Sequence, residues 1–299
     1  MIVRVVLLGL SIVMSPFAVA AQEALTAPPP VLELQSEFLK PGKAGVLHER
    51  TEAAIAAAAA HARLQGHYVA LNSMSGKSRT LFLTGYTSLA TWQADNDRIA
   101  ASPALATEFT QATGADGELL EAFEQATATY DAELSYKPNA DLGHTRYVEI
   151  TTFRIKPGHR KDWHDLVQML KDANQKGATS AHWAMYRALY GVDNRTYFAL
   201  AAHPSLAGID QGIAEQPKFL EGLGDADAQE KLDKLYGEAV AWSRTELYAV
   251  NAAQSYPMDA WAREDSAFWR PRPEPAAVPA KISAKTPAKP APVHKRAGR

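Results

Sequence analysis

Leu39-Lys40-Pro41-Gly42 and Ile155-Lys156-Pro157-Gly158 are one stretch written twice, 116 residues apart from Lys40 to Lys156. Each stretch follows a strand-like run, Leu32–Phe38 and Tyr147–Ile155. Proline presets φ at the second position of a turn, and glycine accepts φ > 0 at the third. Each turn leads into a helical pattern, and a His stands six residues past each Gly, His48 and His164. Further echoes keep the order. Ser78-Arg79-Thr80-Leu81-Phe82 matches Asn194-Arg195-Thr196-Tyr197-Phe198 at 116, Ser88-Leu89-Ala90 matches Ser205-Leu206-Ala207 at 117, and Glu133-Leu134 matches Glu246-Leu247 at 113. Ordered echoes with small drifts indicate a duplicated unit with loop insertions.

Within the first copy, a helix is predicted from about Lys43 to Gln65 and a strand over His67–Met74. The turn Ser75-Gly76-Lys77-Ser78 leads to a strand over Arg79–Tyr86. Ser88 is placed to cap a helix. After Pro103 comes more helix, most clearly over Glu118–Tyr130, and Ala132–Tyr136 reads as the closing strand. The second copy repeats the order: a helix over His159–Lys176 with Trp163, Leu166, Val167 and Leu170 on one face, strands His182–Leu189 and Arg195–Ala202, helix from Ser205 and from Asp225 to Trp242, and a strand over Ser243–Val250. The order β-α-β-β-α-β is ferredoxin-like. Such a unit covers one sheet face with helices, and the other face needs a partner. Two copies supply it to each other, so the expectation is an α+β fold. Its two fused ferredoxin-like repeats, 32–138 and 145–256, form one intramolecular barrel.

Met1 to about Ala21 combines Arg4, an apolar core and the small run Ala18-Val19-Ala20-Ala21. This is the pattern of a secretory leader with an A-x-A-like cleavage site, and the apolar core is short of the roughly 20 residues that span a bilayer. Export to the periplasm or beyond is expected, with no transmembrane segment after cleavage. Residues 22–31, with Pro28-Pro29-Pro30, read as a linker. There is no Cys, so stability rests on the core. The chain carries −2 overall. The stretch from Arg270 onward holds +7 and the leader +1, which leaves −10 on the body. An acidic body argues against a nucleic-acid surface. Residues 257–299 read as a Pro/Ala/Lys-rich tail, in which Trp261, Phe268 and Trp269 can still pack on the body and the part beyond Pro271 is disordered; its charge would attract an anionic envelope surface weakly.

The strand ending in Lys-Pro-Gly, the helix after it, the hairpin and the Ser-Leu-Ala helix start resemble the dimeric α/β-barrel superfamily. Its members include NIPSNAP-like proteins and antibiotic-biosynthesis monooxygenases. The resemblance covers about Leu32–Lys137 and Tyr147–Val250. It implies a barrel with pockets, in a superfamily holding haem-dependent enzymes and cofactor-free oxygenases, so the fold alone names no activity.

Candidate ligand-binding residues are His67 and His182 at the start of the second strands, Arg79 and Arg195 at the start of the third, Tyr86 on the Thr80-Phe82-Thr84 face, and His203 at a strand end. A His there suits acid–base work or a haem, and an Arg suits an anion. Each has a plainer reading as a surface His or an ion-paired Arg. His48 and His164 fit a capping or packing role. No Cys, HExxH or short-spaced His pair gives metal-ligand spacing. There is no phosphate loop, and Gly-x-Ser-x-Gly is absent. The sequence leaves catalytic residues and cofactor undetermined. It favours a binder of a small or amphipathic ligand, with an oxygenase of the barrel type or an envelope scaffold as alternatives.

Overall fold

A computed structural model describes residues 27–138 and 141–270. The leader over 1–21 and the distal tail lie outside the described residues. The first unit runs β1 (Val31–Leu39), α1 (Val46–Ala62), β2 (His67–Ser73), β3 (Arg79–Tyr86), α2 (Leu89–Ala100), α3 (Pro103–Gly117) and β4 (Leu120–Tyr136). The second runs β5 (Tyr147–Ile155), α4 (Arg160–Lys176), β6 (Trp183–Tyr190), β7 (Thr196–His203), α5 (Leu206–Ala214), α6 (Gln216–Leu223), α7 (Ala226–Ala239) and β8 (Val240–Tyr256). Two short helices follow, α8 (Asp259–Glu264) and α9 (Ser266–Trp269).

All strand pairs are antiparallel, and the order β1-β3-β2-β8-β5-β7-β6-β4 closes on itself. Each unit has the ferredoxin order, β4-β1-β3-β2 and β8-β5-β7-β6, and the units join through β2–β8 and β4–β6. A closed barrel leaves no free sheet edge. Strand alternation sends Leu32, Leu34, Leu71, Leu81, Val148, Ile150, Tyr186 and Phe198 into the barrel core. Over the second unit, Trp163, Leu166 and Val167 of α4 form a separate outer core with Ile155, Met185 and Tyr197. No helix among the described residues is long and apolar enough to cross a membrane.

The turns match the expectation. Gly42 and Gly158 sit at φ 77° and 85°, and Lys43 N–H and His159 N–H donate to the carbonyls of Lys40 and Lys156. Ser88 caps α2 by accepting from Thr91 N–H at 3.1 Å.

Three expectations need correction. Glu118–Tyr130 is not helix: Glu- and Ala-rich local propensity favours helix, yet β4 pairs with β1 along the whole of that strand and then with β6. β8 likewise begins at Val240 rather than Ser243 and runs on to Tyr256. The first helices do not differ in length, since α1 and α4 both span 17 residues. The surplus in the first copy lies in the loops, so His48 is the third residue of its helix and His164 the fifth, and the two are not equivalent. The packed body continues past Pro257, with Trp261 and Trp269 packed on it: with Met258 they are buried against Val69, Leu142 and Val250.

Strand register also corrects the repeat alignment. Leu34 faces Leu83, and Ile150 faces Leu200. With Leu34 matched to Ile150 at 116, β3 matches β7 at 117. Arg79 therefore corresponds to Thr196, not to Arg195, and Thr80 to Tyr197. A one-residue shift moves a side chain to the other face of the sheet. In the same way β4 matches β8 at 120, from Leu39–Leu120 and Ile155–Val240, so the Glu133/Glu246 echo joins no equivalent positions.

Candidate functional site

The barrel encloses an apolar cavity of about 330 Å³. Its wall is made by inward-facing Leu32, Leu71, Leu83, Val148, Ala184 and Leu200. Small residues at 184 and 202 leave the space that larger ones would fill. The mouth is framed by three segments outside the barrel strands: Ala27–Pro29, Leu142 with Thr145, and Met258 with Trp261. The Tyr186 hydroxyl donates to Pro29 O at 3.1 Å and ties the first of these down. Arg146 pairs with Asp265, and Trp269 Nε1–H donates to Gly143 O at 2.8 Å, holding α8 and α9 over the same end. The opposite end is closed by Phe38, Arg79, Glu246 and Tyr248. Arg79 donates to Glu246 Oε2 at 2.7 Å and to the Tyr248 hydroxyl. Burial, above all, pushes the Tyr248 hydroxyl up to about 12.

His67 is the imidazole on the cavity wall, which it shares with Tyr186, whose hydroxyl is spent on Pro29. It stacks on Tyr256 with ring centroids 4.5 Å apart, and its Nδ1 is buried without a partner. Burial lowers its pKa below the ordinary imidazole value, against the opposing carbonyls of Pro257 and Tyr256 and the carboxylates of Asp259 and Asp95. The ring is therefore neutral at pH 7 and offers a lone pair or an N–H to a guest. Asp95 fixes the approach to it by accepting from the backbone N–H of Gln65 and Gly66 at 2.8–2.9 Å.

The other candidates do not join His67. Arg79 is committed to the closed end. Arg195 stands on the β6–β7 turn, bound to Asp193 through Nε and an NH2 at 3.1 and 2.9 Å. That contact, first, holds the Asp193 carboxyl far below the carboxylate range. Tyr86 lies outside the barrel, stacked on Trp92. His203, its equivalent in the second copy, also faces outward and meets Glu149 Oε2 at 3.1 Å. His182 sits beside it with ring centroids 5.1 Å apart, its nitrogens against the carbonyls of Ser180 and Ala202.

A second constellation lies between the outer face of the first sheet and its helices. Glu37 (β1), His48 and Glu52 (α1) and Asp116 (α3) are each 1–3 % exposed, and one ligand atom from each lies within 4.8 Å of the others. His48 Nε2 is 3.1 Å from Glu37 Oε2, 3.4 Å from Asp116 Oδ1 and 3.9 Å from Glu52 Oε1. Sequence spacing gave no sign of it, because the four residues come from three elements. The one local signal is His48 and Glu52 at i, i+4, on the buried face of an Ala-rich helix.

No protein-family profile and no curated protein matches this sequence. Solved structures do match its shape. A candidate monooxygenase of Fusobacterium nucleatum aligns with TM-score 0.50 at 8% identity, over 75% of this chain and 93% of that one. An anthrone oxidase-like protein aligns with TM-score 0.49 at 15% identity, over 76% and 93%. Chlorite dismutase of Candidatus Nitrospira defluvii aligns with TM-score 0.46 at 10% identity, over 82% and 99%. At such identities the likeness concerns the fold. The closed strand order and the two ferredoxin-like units, with the likeness of fold to the first of these structures, give the conclusion that the chain has the dimeric α/β-barrel fold, both units being supplied by one polypeptide.

Proposed function

We propose that this is an exported protein that binds a small, largely apolar molecule inside its barrel. The observation that carries the reading is the cavity: about 330 Å³, walled by aliphatic side chains, with one neutral His. Ligand pockets run from about 300 to 1,000 Å³ and are mostly apolar with few polar groups, so a guest of one or two rings with a single hydrogen-bonding group suits it. Export is supported by the leader-like pattern of Met1–Ala21.

The test is native mass spectrometry of the full chain for a retained guest, with displacement of a small apolar fluorophore, N-phenyl-1-naphthylamine, as the binding assay. Ala184→Phe, which puts a ring into the cavity, should abolish binding while the protein stays folded. Binding unchanged by that substitution would place the guest elsewhere.

A second reading, a cofactor-free oxygenase in the same cavity, is favoured by the unpartnered Nδ1 of His67. A neutral imidazole is competent to take a proton from a bound phenol-like guest. Dioxygen consumption with such a guest, lost in His67→Phe, would support it.

A further inference from the structure

We infer that Glu37, His48, Glu52 and Asp116 form a binding site for one divalent first-row transition ion, with Mn²⁺, Fe²⁺ or Zn²⁺ as the class of occupant. The inference is independent of the barrel cavity, which lies on the other face of the sheet.

Charge comes first. Three carboxylates are buried together, and among the described residues none of them has a Lys or Arg within ion-pair distance; their one basic neighbour is His48. A cluster of buried carboxylates either keeps a proton or coordinates a metal. Hydrogen bonds from Gln35 Nε2–H to Glu37 Oε1 at 2.8 Å and from the Thr51 hydroxyl to Asp116 Oδ1 at 2.7 Å orient two carboxylates but bring no charge.

The spacing comes next. Ligand atoms held at about 2.0–2.2 Å from one ion stand about 3–3.6 Å from each other in tetrahedral or octahedral geometry. The distances of 3.1, 3.4 and 3.9 Å from His48 Nε2 to the three carboxylates fall on or close to that range.

Three buried polar atoms also lack partners, and each makes sense around an ion. Glu52 Oε1 lies in the cluster, 3.9 Å from His48 Nε2 and without a hydrogen bond. The Tyr68 hydroxyl is likewise unpaired and lines, with Glu37, Glu52 and Asp116, a second cavity of about 390 Å³. Gln254 Oε1 is the third, while its Nε2 lies 2.9 Å from His48 Nδ1. Turning the amide over would bring Oε1 to Nδ1–H and leave the lone pair of Nε2 for the ion. Ligating His residues characteristically donate their other N–H to such an acceptor.

Donor chemistry selects the ion. One imidazole and three carboxylates, with no thiolate, suit borderline-to-hard ions, and the imidazole argues against Mg²⁺ or Ca²⁺.

Duplication supplies a control within the chain. Glu37 corresponds to Phe153 and Thr80 to Tyr197, and Trp163 of α4 packs on both rings at 4.9 and 5.2 Å. The second unit fills this place with an aromatic core. The first fills it with four ionisable groups, a costly arrangement unless something binds there.

The test uses the full chain. Metal content is measured by inductively coupled plasma mass spectrometry as purified. The chelator-treated protein is then titrated with Mn²⁺, Zn²⁺ and, without oxygen, Fe²⁺. One ion per chain is expected, with affinity falling about 100-fold or more in Glu52→Gln and Glu37→Gln, and about 10- to 100-fold in Gln254→Leu. With Mn²⁺ bound, electron spin-echo spectra should show one nitrogen that disappears in His48→Gln. Should His48→Gln fail to fold, the two near-isosteric carboxamide variants decide. If no ion is bound as purified or at about 100 μM of each metal, or if binding is unchanged in Glu52→Gln and Glu37→Gln, the inference is overturned.

Discussion

Chelator-treated protein should lose stability as pH rises, and Glu52 is the cause. Burial first, then the charges of Glu37 and Asp116, push its carboxyl from 4.5 up to about 10. Between those values the folded, ion-free chain holds one proton that the unfolded chain has released. Stability then falls as pH rises, by about 1.4 kcal/mol per pH unit for one proton. From about pH 7 to 9 the loss attributable to Glu52 is on the order of 3 kcal/mol, a large share of the 5–15 kcal/mol that holds a typical domain together. His67, with its pKa lowered, titrates below this window. Glu52→Gln mimics the protonated carboxyl and does not titrate, so the comparison isolates one group. The measurement is urea unfolding of wild type and Glu52→Gln at several pH values in chelator. The wild-type curve should drop relative to the variant by the amount given, and saturating Mn²⁺ should abolish the drop, because an ion replaces the proton. Parallel curves in chelator would refute the argument that Glu52 is protonated in the ion-free fold.

Other expectations follow from particular contacts. Gly42→Val and Gly158→Val should each cost about 1 kcal/mol or more, since a β-branched residue resists φ near +80°; unchanged urea midpoints would contradict the turn geometry. Trp269→Ala should cost about 3–5 kcal/mol, because its ring is buried with Trp261 and its indole N–H is spent on Gly143; a smaller effect by thermal and urea unfolding would mean that α9 rests loosely on the barrel. Arg79→Met should cost on the order of 3 kcal/mol by leaving Glu246 buried without its partner, whereas Arg195→Met, at an exposed turn, should cost less than about 1 kcal/mol. Equal effects would restore the equivalence that strand register denies.

The repeat was legible because its punctuation is chemical: Pro-Gly turns, Ser caps and apolar alternation depend on neighbours in sequence. The long strands β4 and β8 were not, because Glu-Ala-Phe-Glu-Gln-Ala and the run through Glu238 and Ala239 favour helix locally, and only pairing with β1, β5 and β6 makes or extends the strands. The 116-residue echo at Arg79 and Arg195 misled for a related reason. Identical letters matched, while a single extra residue before β7 put the two side chains in different environments. Of the six candidate site residues, His67 alone reaches the cavity. Its unsatisfied Nδ1 depends on Tyr256 and on the loop held by Asp95, both far from it in sequence. The cavity mouth was hidden too, since Ala27–Pro29 and Met258–Trp261 read as linker and tail.

The two units divide their work differently from what duplication alone requires. In the second unit, α4 presents Trp163, Leu166 and Val167 to its sheet and seals that face with an aromatic core. In the first, α1 presents His48, Glu52 and a run of Ala to the same face. Alanine contributes little burial per residue, so this face gives up apolar contact as well as hosting charge. Both losses fall on one unit, and the barrel lets the other offset them, because β2–β8 and β4–β6 make the two sheets one structure. A lone first unit would have to bear the buried carboxylates on its own core, with one sheet face open to water. The closed barrel thus explains how a chain without a disulfide tolerates four buried ionisable groups: the second unit and the shared interior supply the stability that the first unit's ionisable face lacks.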